Sequence, residues 1–165
     1  MTSHDFNKLG CGKLGMLEFA DAVAYFTAAI DLDPDCWFSF LSRGFALLQL
    51  QQFDEAIGDF SQALRLDPAD AGTWCYRGQA YAGVGSTEEA IADFTQALRI
   101  KPDDPVCYLE RGNAYAKLHG YEQAIADFTK TIYLDANNLD ALRLRAMMYV
   151  LIGDLTRAQA DFARV

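Results

Sequence analysis

The chain has few of the residues on which enzymatic and metal chemistry usually depends. It contains only two histidines, His4 and His119, and neither lies near a cysteine or carboxylate at metal-ligand or catalytic-triad spacing. Its glycines are spread along the chain and form no glycine-rich loop of the kind that binds phosphate. We therefore expect no catalytic site, no metal site and no cofactor.

The chain is also short of positive charge and of long apolar runs. Its 14 lysines and arginines are outnumbered by 23 aspartates and glutamates, which gives a formal net charge of -9. This surplus of carboxylates argues against nucleic acid as a partner, because phosphate binding needs clustered cations. The longest apolar run, residues 146–152, is far shorter than the ~20 residues that span a bilayer. With no secretory signal at the N-terminus, we expect a cytoplasmic protein without a membrane span.

The four cysteines lack the two-residue spacing of zinc and redox motifs. They are Cys11, Cys36, Cys75 and Cys107. A disulfide framework is typical of small secreted domains that cannot build a core, whereas 52% of this chain is hydrophobic. We expect four free thiols, with Cys75 and Cys107 the pair nearest to each other.

What the sequence does contain is a repeat of 34 residues, the spacing that separates Pro34, Pro68 and Pro102. This period divides the chain into repeats at residues 3–36, 37–70, 71–104 and 105–138, and an incomplete fifth repeat at 139–165. Two positions are invariant across all five repeats. Position 20 is Ala22, Ala56, Ala90, Ala124 and Ala158, and position 24 is Phe26, Phe60, Phe94, Phe128 and Phe162.

Within each repeat, apolar residues recur at helical spacing on both sides of a break, which predicts two helices joined by a tight turn. Five repeats therefore predict about ten helices. A glycine at position 8 leaves room for close helix packing in the first four repeats. Gly85, Gly120 and Gly153 lie near the break, where we expect each to end the first helix with a positive φ.

Positions 7 and 23 vary together along the chain. Repeats two to five have Arg43, Arg77, Arg111 and Arg145 at position 7, and Asp59, Asp93, Asp127 and Asp161 at position 23. The first repeat has Leu9 and Tyr25 instead. Because both members change together, we predict an Arg–Asp pair across each later hairpin.

The repeat resembles the pattern of the tetratricopeptide repeat family along the whole chain. Every 34 residues it has a large aromatic residue, then Leu-Gly or Arg-Gly, an aromatic residue, Ala, Phe, Ala and Pro. The resemblance implies one all-α domain, residues 1–165, built as a right-handed α-solenoid of antiparallel helix hairpins. It also implies a protein-interaction scaffold without enzymatic activity. The first helices would line a concave groove that holds a peptide or an amphipathic helix of a partner protein.

The resemblance also implies which side chains face that groove. In repeats two to five they include Phe38, Leu41, Ser42, Phe45, Cys75, Tyr76, Gln79, Leu109, Glu110, Asn113 and Arg143. The same positions of the first repeat hold His4, Asn7, Lys8 and Cys11. The second repeat is unusually apolar there: a stripe of Phe38, Leu41, Phe45 and Leu48 is either a partner-binding groove or ordinary core between helices.

Two other interpretations remain open. The chain could be the interaction module of a longer enzyme or of a secretion or assembly protein. It could also form a homo-oligomer through its last helix, whose apolar residues Leu155, Ala158, Phe162 and Val165 are followed by no polar capping helix in this sequence.

Overall fold

A computed structural model describes residues 1–165, which form ten α-helices and no β-strand. The helices are α1 Ser3–Gly15, α2 Phe19–Leu32, α3 Trp37–Gln49, α4 Phe53–Leu66, α5 Ala71–Val84, α6 Thr87–Ile100, α7 Pro105–Lys117, α8 Tyr121–Leu134, α9 Leu139–Leu151 and α10 Leu155–Phe162. The first helix of every repeat begins at position 1 and the second at position 17. The expected number and spacing of helices are confirmed.

The chain divides into two compact parts, Met1–Ser86 with α1 to α5 and Thr87–Val165 with α6 to α10. Within the first part, α1 packs on α2, α2 on α3, α3 on α4 and α4 on α5. Within the second part, α6 packs on α7, α7 on α8, α8 on α9 and α9 on α10. Both parts are therefore built from the same hairpin, in which each helix packs on its neighbour in the chain.

Short polar side chains begin several helices. The Asp70 carboxylate accepts from the Thr73 backbone N–H at 2.7 Å, and the Asn138 side chain accepts from the Ala141 N–H at 2.9 Å. Thr2 and Asp5 bond reciprocally at the start of α1. These bonds satisfy backbone donors that a helix leaves unpaired at its N-terminus.

The turn inside each hairpin requires a positive φ at position 15. Gly85 and Gly153 supply it with φ of 86° and 82°, as expected. The expectation was wrong for Gly120, whose φ is −81°. In the fourth repeat the preceding residue, His119, takes a φ of 60° instead. Leu17 and Gln51 do the same in the first two repeats, so three turns hold a non-glycine residue in a conformation that favours glycine.

The invariant alanines and phenylalanines form the core of the hairpins. Phe26, Phe60 and Phe128 are completely buried. Each lies against the glycine at position 8 of its own repeat: a Cβ atom at Gly112 would lie 2.7 Å from the Phe128 ring. Because no side chain larger than hydrogen fits there, the glycines let the two helices approach closely, as predicted.

The expectation for the cysteines was wrong at two positions. Cys11 and Cys36 are free thiols. Cys75 and Cys107, in contrast, are both disulfide-bonded. The hydrophobic content and spacing from which free thiols were expected carry no information on side-chain geometry, which decides whether a disulfide can form. None of the ten helices is both long enough and apolar enough to cross a membrane.

Candidate partner-binding surface

A cleft of about 520 Å³ lies between the first helices of the first two repeats. It is lined by His4, Asn7, Lys8 and Cys11 of α1 together with Cys36 and Phe38 at the start of α3. The first helices start at the same position of consecutive repeats, so their N-terminal turns lie side by side. The structure thus brings Phe38 together with the four first-repeat residues that the sequence pattern assigned to the same face.

The cleft combines a fixed polar floor with free cationic and apolar groups. The Asn7 amide is held in place because its oxygen accepts from the Ser39 hydroxyl at 3.0 Å. Phe38 is 38% exposed and packs edge-on against Trp37. Lys8 is exposed, whereas Lys13 on the same helix is engaged by two carboxylates. No group of three His, Cys, Asp or Glu side chains is placed to hold a metal ion.

The rest of the predicted stripe on α3 is divided between surface and core. Leu48 is buried in the cluster that contains Phe60, and Leu41 packs against that cluster. Phe45 is half-buried and contacts the Tyr76 ring edge-on, with 5.2 Å between ring centroids. Phe38 is therefore the exposed member of the stripe, while Leu41 and Phe45 are half-buried and Leu48 is buried.

The other predicted groove residues of the first part differ in access. Ser42 and Cys75 are buried, so a partner could not reach their side chains in this conformation. Tyr76 is half-buried because its ring stacks on Phe60 at 6.0 Å and meets Phe45 on another side. Gln79 is half-buried on the same helix.

The remaining predicted residues lie in the second part. Leu109 is half-buried against Ala124, Phe128 and Ile132, and Glu110 and Asn113 are half-buried on the same helix. Burial raises the pKa of Glu110, while a hydrogen bond from Asn113 opposes that shift. Arg143 is exposed and makes only a 3.4 Å contact with Asp140, one turn away.

The predicted Arg–Asp pairs are present in repeats two, four and five as two-pronged contacts. Arg43 donates to both carboxylate oxygens of Asp59 at 2.7 Å, and Arg111 to both oxygens of Asp127 at 2.8 Å. Arg145 and Asp161 do the same at 2.7 Å. The bond to the carboxylate raises the pKa of each of these three arginines.

The arginines at position 7 also donate a hydrogen bond to a side chain of the preceding repeat, a contact that was not predicted from the sequence. Arg43 donates to the Thr27 hydroxyl at 3.0 Å, and Arg111 donates to Thr95 at 3.1 Å. Arg77 and Arg145 likewise bond Ser61 and Thr129. The signal was available, because position 25 is Thr or Ser in repeats one to four and Ala163 in the fifth. The arginine is therefore a link between successive repeats as well as within one.

Comparisons with known proteins agree with this architecture. Models of the tetratricopeptide repeat match residues 7–71 and 41–105, and a further model of the repeat matches residues 106–138. The chain belongs to the tetratricopeptide repeat family. The all-α tetratricopeptide fold is thereby confirmed. No curated protein sequence matches this chain.

Several solved structures share the tetratricopeptide fold. MamA from Desulfovibrio magneticus RS-1, residues 41 to the end, is 18% identical with a TM-score of 0.92, over 98% of this chain and 92% of that one. YrrB, described as a TPR protein with an unusual peptide-binding site, is 17% identical with a TM-score of 0.82, over 94% and 80%. TTC0263, a TPR protein from Thermus thermophilus, is 20% identical with a TM-score of 0.75, over 99% and 89%.

Cys36 was missed as a lining residue of the cleft. It is the last residue of the first repeat and directly precedes α3, so it is not one of the first-helix positions that the family pattern assigns to the groove. The other complete repeats end in the helix-capping residues Asp70, Asp104 and Asn138, but this difference does not by itself place Cys36 at a cleft. Only the way α1 packs beside α3 brings it to the cleft.

Proposed function

We propose that this tetratricopeptide protein is an interaction scaffold that binds a segment of a partner protein across the first helices of its repeats. The observation that carries the proposal is the cleft between α1 and α3, where exposed Phe38 lies beside His4 and Lys8. Clefts that join an apolar anchor to a few polar groups are the usual form of a ligand site. The peptide-binding site named for YrrB supports the same use of this fold.

The lining of the cleft suggests the chemistry of the partner. Lys8 is a cation without a carboxylate partner, in a chain whose formal net charge is -9. A partner segment with a carboxylate next to a large apolar side chain would pair with Lys8 and cover Phe38. The excess of acidic residues disfavours nucleic acid. We place the protein in the cytoplasm and assign it no enzymatic activity.

Selection of binding peptides, followed by affinity measurement, tests the proposal. Twelve-residue peptides from a random displayed library are selected on the native chain, and their affinity is measured by fluorescence anisotropy for the native, Phe38→Ala and Tyr133→Ala proteins. Tyr133 is a matched control because it is an exposed aromatic residue on a second helix. We expect selected peptides to be acidic and apolar and to lose about tenfold in affinity, roughly 1.4 kcal/mol, with Phe38→Ala only.

Two outcomes would overturn the proposal. One is that no peptide is enriched on the native chain, and the other is that enriched peptides bind Phe38→Ala as tightly as the native protein. Circular dichroism of each variant, recorded before binding is measured, checks that the helices are intact. A loss of affinity in Tyr133→Ala equal to that in Phe38→Ala would also contradict the assignment of the cleft.

A further inference from the structure

The first and fifth repeats each have an exposed face at a surface that is covered in the other repeats. The head face is a cleft of about 580 Å³ on α1, lined by Met1, Asp5, Lys8, Leu9, Gly12, Lys13 and Met16. The tail face is a cleft of about 290 Å³ on α9 and α10, lined by Met147, Val150, Leu151 and Phe162. Both faces are largely apolar.

Phe162 shows how unusual the tail face is. It is 46% exposed, whereas the phenylalanines at the same position of the other four repeats are 0% exposed. At two junctions, that of the second and third repeats and that of the fourth and fifth, a side chain at position 6 of the following repeat helps to cover this phenylalanine. Tyr76 stacks on Phe60, and Leu144 packs in the cluster of Phe128.

Contacts between successive repeats define which positions meet. Position 7 bonds position 25 of the repeat before it, as Arg43 does with Thr27 at 3.0 Å. At the junction of the first and second repeats, position 3 bonds position 5 of the repeat before it, since Ser39 donates to Asn7 at 3.0 Å.

A third contact between successive repeats depends on a glycine that leaves room for a large side chain. At the junction of the second and third repeats, position 13 lies against position 17 of the preceding repeat, because a Cβ atom at Gly83 would be 2.7 Å from the Phe53 ring. Together with the stacking of Tyr76 on Phe60, these contacts give a register that any repeat following the fifth one would have to satisfy.

We propose that the tail face of one copy of this chain binds the head face of a second copy in this same register. Leu9 at position 7 then meets Ala163 at position 25, so an apolar pair stands where the internal junctions have an arginine and a hydroxyl. Leu9 replaces the arginine and Ala163 replaces the hydroxyl residue, so both members of the pair are apolar and complement each other.

The charged groups match in the same register. Asp5 at position 3 of the head face meets Arg143 at position 5 of the fifth repeat. Arg143 is free to do so because it is exposed and makes only a one-turn contact with Asp140 at 3.4 Å. The two opposite charges were not needed to define the register, so their match is independent evidence for a second copy as the occupant.

The shapes match as well. Gly15 at position 13 has no side-chain or backbone atom within 4 Å of the place where a Cβ would lie. It therefore leaves room for Leu155 at position 17, which is 65% exposed, just as Gly83 leaves room for Phe53.

The interface is heterologous, since different surfaces of the two copies meet. Two variants place a negative charge on each side of the apolar pair: Leu9→Glu on the head face and Ala163→Glu on the tail face. Ala126→Glu is the matched control, because Ala126 on α8 is an exposed alanine, as is Ala163 directly after α10. Sedimentation velocity over a concentration series gives the mass of each protein alone and of equimolar mixtures.

We expect the native chain and Ala126→Glu to associate as concentration rises, and each of the other two variants to stay monomeric or to associate at least about tenfold more weakly. An equimolar mixture of Leu9→Glu and Ala163→Glu should form dimers and nothing larger. The intact tail of the first variant meets the intact head of the second, while two glutamates face each other at the other contact.

Three results would overturn the proposal. They are a native chain that stays monomeric at millimolar concentration, a mixture of the two variants that stays monomeric, and association that only one of the two substitutions weakens. The last result would indicate a symmetric contact of one face with itself. Arg143→Glu is a second test that leaves the apolar pair unchanged; it should also weaken native association, and equal association would contradict the predicted charge pair.

Discussion

The first and fourth repeats have the same backbone but differ at the positions that carry charge. In both, a glycine at position 8 lies against the core phenylalanine, with 2.7 Å from a Cβ placed at Gly10 or Gly112 to the ring. At positions 7 and 23 the fourth repeat has the ion pair of Arg111 and Asp127, where the first repeat has two uncharged side chains. The hairpin itself therefore does not require the ion pair.

The difference teaches what the arginine is for. Arg111 bonds Asp127 within its repeat and Thr95 in the preceding one. In the first repeat, Leu9 and Tyr25 stand where the later repeats have the arginine and its aspartate. The ion pair thus belongs to the junction between repeats, and the apolar pair belongs to the head face.

Breaking the ion pair on one side should give the largest effect. Asp127→Leu leaves the partly buried Arg111 guanidinium without its carboxylate, and we expect a loss of about 3–5 kcal/mol in the free energy of unfolding. The double substitution Arg111→Leu with Asp127→Leu makes this site resemble the first repeat and should recover most of that loss. Urea unfolding of the two variants measures the difference.

Asp140→Leu is the control, because it removes an exposed carboxylate whose contact with Arg143 should contribute less than about 1 kcal/mol. If the double variant were as unstable as Asp127→Leu alone, the apolar residues of the first repeat would not be an adequate substitute for the pair. The comparison of the two repeats would then need a different explanation.

The repeat, the helices and the ion pairs could be predicted from the sequence because each leaves a periodic signal. Positions 7 and 23 change together inside one chain, which is what two contacting residues do. The hydroxyl at position 25 leaves an equally clear signal, but its arginine lies in the following repeat, so the pattern within one repeat does not reveal the pair.

The exposure of the side chains on the binding surface could not be predicted in the same way. Phe38 and Leu48 belong to one stripe at helical spacing, yet Phe38 is exposed and Leu48 is buried in the Phe60 cluster. Their exposure depends on how the neighbouring helices pack, and a single helical pattern contains no information on that packing. The prediction of a positive φ at Gly120 was wrong for a related reason. The backbone geometry of the turn, and not the presence of a glycine nearby, decides which residue takes the positive φ.

The turns offer a second way to sharpen the comparison. Leu17 in the first repeat and His119 in the fourth have φ of 60°, a conformation that costs a non-glycine residue about 1–2 kcal/mol. Leu17→Gly should therefore stabilise the fold by about 1 kcal/mol. His119→Gly should gain less, because the His119 ring contacts the Tyr121 hydroxyl at 2.9 Å.

Thermal unfolding of both variants, with Gly153→Ala as the reverse substitution, tests this order. Gly153 has a φ of 82°, so an alanine there should destabilise the turn. Stabilisation by Gly153→Ala, or destabilisation by Leu17→Gly, would show that the turn does not select glycine at position 15.

The smallest expected effect concerns position 6, where the first repeat has Lys8 and the fourth has Glu110. Burial raises the pKa of Glu110 above its value in the unfolded chain. The contribution of Glu110 to stability is therefore complete below its unfolded pKa and is lost as the pH rises through its folded pKa. Glu110→Gln removes this loss, so it should stabilise the fold by less than about 0.5 kcal/mol at neutral pH and have no such effect in acid.

Asn113→Ala sharpens this test of Glu110, because the hydrogen bond from Asn113 lowers the pKa of Glu110 and its removal should extend the loss to higher pH. Urea unfolding from about pH 4 to about pH 8 compares the native chain with the two variants. If the native and Glu110→Gln curves stayed parallel over this range, Glu110 would have the same pKa folded and unfolded. The difference in charge at position 6 would then not affect the stability of the two repeats.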